Sequence, residues 1–206
     1  MNDKFYELIE EKQLAIINAG FEVFGSNEYK RASTDEIAAK AGISKGLLFY
    51  YFHDKLTFYM FLYEYAEEFL RTNIVDDSLC EVTDFFELLL QVTISKYKLL
   101  RKNPYLLEFI IRTLYTKEEK LVKLVKEQNK NFPVNSFNEY FNKIDFTKFK
   151  EEINPQEILQ MLNWLLAGYL YEKSSSDLPI QFSEIMNQYK IWSDILKTAS
   201  YKEEHQ

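Results

Sequence analysis

The 206 residues carry 32 acidic and 25 basic side chains, a net charge of −7, which argues against a general polyanion binder. Five glycines and four prolines lie far below the usual share and favour long helices with short connections over a strand-rich, turn-rich design. A single cysteine, Cys80, excludes an internal disulfide and a cysteine-rich metal site.

The chain opens on MNDKFYELIEEK, acidic and amphipathic and unlike a signal peptide. No apolar run approaches the roughly 18–20 residues of a membrane span, so a cytoplasmic protein with no membrane partner is expected. The first helix is expected over residues 3–24, with Leu14, Ile17, Phe21 and Phe24 as one buried stripe. GSNEYKRA, residues 25–32, reads as a loop. Ser33 is an N-cap with Glu36 three residues later, the capping-box pattern. It starts a short helix with Ile37, Ala38 and Ala41 inside, closed by Gly42, and Ser44 caps the next one. Asp54 caps a long helix over 55–73, and VDDSLCE reads as a break. Helical spacing resumes over 82–101. After Asn103–Pro104, helices are expected over 104–115 and 117–130. Asn131–Pro133 marks a break or kink, with helix resuming to about Asn142, and KIDFTKFKEEIN has no clear period. Asn154–Pro155 starts a helix to about Glu172, KSSSDLP is a loop, and the last helix covers 183–198. The tail SYKEEHQ is expected to fray.

Two short helices joined by a tight glycine turn form a helix-turn-helix pattern. Gly42 suits a positive φ at the end of the first helix. Gly46 needs another reason, since glycine inside a helix costs about 1 kcal/mol. With Leu48 and Phe52 facing the core, Ser44, Lys45, Gly46, Phe49 and Tyr50 form an outward strip. A first-turn glycine lets the backbone approach base edges in a major groove, where Lys45 reaches guanine N7/O6 or a phosphate. Residues 30–55 hold five basic and three acidic side chains, a local balance of +2 that leaves −9 elsewhere. A small basic face on an acidic body fits short-range DNA contact. The same helix pair also occurs in purely structural helical proteins.

The stretch AIINAGFEVFGSNEYKRASTDEIAAKAGISKGLLFYYFHDK, residues 15–55, resembles the N-terminal domain of TetR-family transcriptional regulators. Agreement with the family pattern xxIAxxAGVSKGTLYxYFxSK lies in Ile37-Ala38, Ala41-Gly42-Ile43-Ser44-Lys45-Gly46, Leu48, Phe52 and Lys55. The resemblance implies an all-α homodimer. It places a three-helix DNA-binding domain at 1–53 and a larger helical domain for effector binding and dimerisation at 54–206. It implies double-stranded DNA, a second copy of the chain and a small-molecule effector as partners, and no cofactor. Such proteins are usually repressors released from a pseudo-palindromic operator by the effector. By position, Thr34 is expected at a phosphate and Ser44, Lys45 and Gly46 at base edges or backbone. Phe49 belongs to the same face, Tyr50 and Tyr51 are expected at bases or phosphates, and Lys55 at a phosphate. Leu47 replaces the usual threonine and Phe49 a frequent tyrosine, which alters base preference. His53 is expected as a helix-end residue or phosphate neighbour rather than a catalytic group.

Residues 56–206 carry no readable motif. The helix at 155–172 is apolar around much of its circumference, so it must be covered on more than one side. Ile158, Leu162, Leu165 and Tyr169 on it, with Ile185, Tyr189, Trp192 and Ile195 on the last helix, are expected to form half of an intermolecular four-helix bundle. Burial inside one subunit is the alternative. Candidate pocket residues for a hydrophobic or aromatic effector are Phe86, Leu90, Ile94, Tyr97, Phe109, Arg112, Tyr115, Tyr140 and Trp164. Arg112 suits an anionic ligand or a surface salt bridge. An enzyme is not expected: two histidines, no Glu-x-x-His pair and no glycine-rich phosphate loop leave no catalytic or metal set. The remaining alternative is a ligand-independent, DNA-organising protein of the same fold.

Overall fold

The computed structural model describes residues 3–74, 79, 81–129, 141–174 and 181–205. Cys80, Tyr140 and most of the helix expected to resume after Pro133 and run to about Asn142 lie outside these residues. Among them are nine α-helices: α1 Glu10–Ser26, α2 Thr34–Lys40, α3 Lys45–Phe52, α4 Lys55–Asn73, α5 Phe85–Arg101, α6 Pro104–Leu114, α7 Glu119–Asn129, α8 Pro155–Ser174 and α9 Phe182–Ser200. No strand forms among the described residues, and none of their helices is long and apolar enough to cross a membrane. The fold is all-α, as the scarcity of turn residues implied.

Two compact units divide the chain, one from Met1–Thr72 with Leu100–Gln128, the other from Asn73–Leu99 with Asn129–Gln206. In the first, the expected helix over 3–24 is interrupted. Asp3–Phe5 form a single 3₁₀ turn, and α1 begins only at Glu10. On a continuous helix Phe5 would sit about 120° around from Ile17, off the buried stripe. The break lets Phe5 turn into the core, with ring centroids 5.0 Å from Phe52, 5.2 Å from Phe61 and 5.9 Å from Tyr51. Leu14, expected in the stripe, is exposed, while Ile17, Phe21 and Phe24 are buried.

Helix α1 lies close against α6. A Cβ on Gly25 would stand 2.9 Å from the Tyr105 carbonyl and 3.3 Å from the Phe109 nitrogen, so only glycine allows this approach. The Arg112 guanidinium donates to the Gly25 carbonyl. Nearby, Lys30 pairs with Glu118 at 2.9 Å. Phe24 and Tyr59 pack edge to face, and the Phe109 ring lies tilted 4.8 Å from Tyr59. Tyr59 Oη and Thr113 Oγ1 share a buried hydrogen bond of 2.6 Å. Burial pushes the Tyr59 hydroxyl up to about 12.

In the second unit Asp84 sets the start of α5, accepting from the Phe86 and Glu87 N–H groups at 3.1 and 3.2 Å. Its other carboxylate oxygen takes Lys148 at 3.0 Å and Lys197 at 3.5 Å. The tail does not fray there. Tyr201 forms an antiparallel bridge with Phe149 and is fully buried against Phe86 and Phe149. Lys150 N–H donates to Ser200 O at 2.9 Å and Lys202 N–H to Lys148 O at 3.0 Å. An aromatic side chain next to the last helix thus anchors what polar composition suggested was loose.

Candidate nucleic-acid interface

Local chemistry builds the turn between α2 and α3. Ser33 Oγ accepts from Glu36 N–H at 3.4 Å and starts α2. At its end, Gly42 N–H donates to Ala39 O at 3.1 Å and Ile43 N–H to Ala38 O at 3.0 Å, with Gly42 at φ 68°. This doubled bonding past a left-handed residue is a Schellman cap, which glycine adopts without a Cβ clash. Ser44 Oγ then accepts from Leu47 N–H at 3.1 Å and starts α3. Partly buried Ala41 and Ile43 pack in the angle against the core.

Helix α3 has an inner and an outer side. Leu48 and Phe52 are fully buried. Ser44, Lys45 and Gly46 are exposed, Tyr50 is 51% exposed, and Phe49 and Thr34 are half-buried. A Cβ on Gly46 would meet nothing nearer than Ser44 Oγ at 3.9 Å, so the first turn is open outward. Tyr51 corrects the expectation: it is 6% exposed, packed against Phe5. Standing three residues after Leu48, it shares the core side, and its ring cannot serve as a reading surface. That spacing was available in the sequence.

Lys40, Lys45 and Lys55 are engaged within the protein. Lys45 Nζ pairs with Asp35 Oδ2 at 2.8 Å, and Lys40 with Glu22 at 2.8 Å. Lys55 departs from its expected place at a phosphate. Its Nζ donates to Ala32 O at 2.6 Å and Lys30 O at 3.4 Å and sits 4.7 Å from the Tyr29 ring centroid. Desolvation lowers its pKa. Lys55 therefore ties the loop before α2 to the start of α4. Between α3 and α4, exposed His53 takes φ 64° and ψ −52°, and Asp54 N–H donates to Phe52 O at 2.7 Å, a γ-turn. Asp54 Oδ1 accepts from Thr57 N–H at 2.7 Å, and that backbone bond holds its carboxyl below the usual range.

The effector candidates separate between the units. Phe109 is fully buried core of the first unit, and Arg112 donates to the Gly25 carbonyl. Tyr115 is half-buried. In the second unit Phe86 is core, Leu90 and Ile94 are half-buried on α5, and Tyr97 stacks on Phe182 at 4.2 Å. Trp164 is 65% exposed, which removes it as a pocket wall.

The dimer candidates separate as well. Ile158, Leu162, Ile185 and Tyr189 are buried within the second unit, α8 packs against α9, and Tyr169 and Trp192 meet edge to face at 5.7 Å. The apolar side chains left outside are Met161, Trp164, Leu165 and Tyr171 on α8 and Ile191 and Ile195 on α9.

Residues 16–58 match the family model described as bacterial regulatory proteins, tetR family. A search of curated proteins found no match. Among solved structures, the fatty acid degradation regulator FadR from Bacillus halodurans is similar at 20% identity and a TM-score of 0.67, covering 89% of this chain and 96% of that one. SmeT, the repressor of the Stenotrophomonas maltophilia multidrug efflux pump SmeDEF, is similar at 16% identity and a TM-score of 0.68, covering 94% of each chain. A SmeT–triclosan complex is similar at 14% identity and a TM-score of 0.66, covering 93% of this chain and 92% of that one. Residues 16–58 thus match the tetR-family model, and over most of its length the chain carries the same fold as regulators such as FadR and SmeT.

Proposed function

We propose that this protein is a ligand-gated repressor that binds a pseudo-palindromic operator as a homodimer, with residues 1–53 reading DNA and 54–206 binding effector and dimerising. One observation carries the reading: across the Gly42 turn, α3 buries Leu48 and Phe52 and turns Ser44, Lys45, Gly46 and Tyr50 outward. In a major groove Lys45 donates to guanine N7/O6, the open first turn approaches base edges, and Tyr50 offers a ring and a hydroxyl.

The dimer face in this reading is the outer strip of α8 and α9. Met161, Trp164, Leu165, Gly168 and Tyr171 follow three- and four-residue steps, with Ile191 and Ile195 alongside. A Cβ on Gly168 meets nothing within 4 Å, which leaves room for close helix approach. Two copies joined there present two reading helices for half-sites about 34–36 Å apart. The effector is a small hydrophobic or aromatic compound held in the aromatic-rich second unit. The triclosan complex of the similarly folded SmeT supports that class. The effector acts by favouring a dimer whose reading helices are wrongly spaced.

The test is selection from a random duplex pool, with sedimentation analysis of the same protein. A selected two-fold sequence bound by a dimer is expected. Trp164→Glu should give monomers and lose the operator. Recovery of no preferred sequence, or operator binding by a monomer, would overturn the proposal.

A further inference from the structure

The reading helix carries an ion pair on its open side. Lys45, the first residue of α3, reaches back across the turn to Asp35 in the first turn of α2, Nζ to Oδ2 2.8 Å, and both side chains remain solvent-exposed. Lys40 and Lys30 are matched to Glu22 and Glu118 in the same unit. Three of the five basic side chains in residues 30–55 are therefore ion-paired in the free protein.

We infer that Asp35 is a specificity-determining residue that reserves Lys45 for a base edge and withholds it from backbone phosphates. This rests on the DNA reading above. The chemistry follows from donor geometry. An ammonium has three N–H groups. Lys45 can keep its bond to Asp35 and still donate to N7 and O6 of a guanine, which are neutral acceptors. Toward a phosphate the exchange is different. The carboxylate and the phosphate are both anions competing for one ammonium, and a phosphate contact leaves Asp35 facing the polyanion without its cation. Asp35 therefore penalises the sequence-independent part of binding and spares the base contact. The first turn of α2 adds a structural argument: Thr34 starts that turn and the Ser33 cap fixes it, so Asp35 is held at one distance from Lys45.

The test uses the full-length protein with Asp35→Asn, which keeps size and shape. Affinity is measured by fluorescence anisotropy on the selected operator and on an unrelated duplex, across a salt series. The unrelated duplex should bind more tightly, and the ratio of operator to unrelated affinity should fall about tenfold. The slope of log K against log salt on the unrelated duplex should steepen by about one, the signature of one added phosphate contact. In a Lys45→Met background Asp35→Asn should change neither quantity. Circular dichroism and the melting temperature check that the fold survives. An unchanged ratio and slope in Asp35→Asn would overturn the inference and leave DNA binding standing. Equal weakening on both duplexes would also overturn it, since that is the signature of a helix-start role alone. Failure of the unmodified protein to select any sequence would remove the DNA reading and this inference with it.

Discussion

Gly46→Ala separates a reading helix from a merely structural one, because the two roles predict opposite signs for stability and binding. In the free protein the added methyl meets only Ser44 Oγ at 3.9 Å, so nothing has to move. Glycine in a helix interior is less favourable than alanine by about 0.8–1.0 kcal/mol. Gly46 is the second residue of the eight-residue α3, where the end of the helix weakens that gain. A stabilisation of about 0.5 kcal/mol is expected. On DNA the methyl lies where the backbone must approach the duplex. Helix α3 then backs away, and the Lys45 base contact, worth about 1–3 kcal/mol, is lost in part or whole. Urea unfolding followed by circular dichroism gives the first quantity, and anisotropy on the operator gives the second. Raised stability with unchanged operator affinity would refute close backbone approach. Lowered stability would refute the open first turn itself.

His53→Gly should stabilise the fold by about 1 kcal/mol, because exposed His53 sits at φ 64° where glycine carries no Cβ penalty; an unchanged urea midpoint would count against a strained γ-turn. Lys55→Ala should destabilise the first unit by about 1–2 kcal/mol through loss of two carbonyl contacts and a ring contact, with the larger effect on stability and only a small one on the salt slope of DNA binding. A full unit of slope with no loss of stability would reverse those roles. Tyr59→Phe should cost about 1 kcal/mol at neutral pH, since Thr113 keeps its bond to the Phe109 carbonyl. Burial raises Tyr59 from its ordinary 10.0 to about 12, so its contribution is complete below pH 10 and disappears as pH rises through about 12. The variant should lose less stability than the unmodified protein across that interval, and identical alkaline unfolding curves would contradict the assignment.

The parts of this fold set by neighbours along the chain were legible in the sequence. Ser33, Gly42 and Ser44 act within four residues of themselves, and each does what its type implied. Helices α4 to α9 begin and end within a few residues of their periodic runs for the same reason. The misread parts are long-range. Phe5 leaves its helix to meet Phe52 and Phe61, and Tyr201 is anchored by Phe149, because burying a ring outweighs keeping the local backbone pattern. Lys45 and Asp35 stand ten residues apart, and only the angle of the turn brings them to 2.8 Å. Helix α8 is apolar on two faces, and nothing local says which face meets α9. The structure places Ile158 and Leu162 inside and Trp164 and Leu165 outside.

The whole account depends on which surface meets a duplex. Hydrogen–deuterium exchange of the full-length protein, with and without the selected operator, addresses this directly. Protection is expected over Ser33–Tyr50, strongest at the α2–α3 turn and the first turn of α3. Protection confined to the second unit, or none at all on a duplex that the protein demonstrably binds, would contradict it.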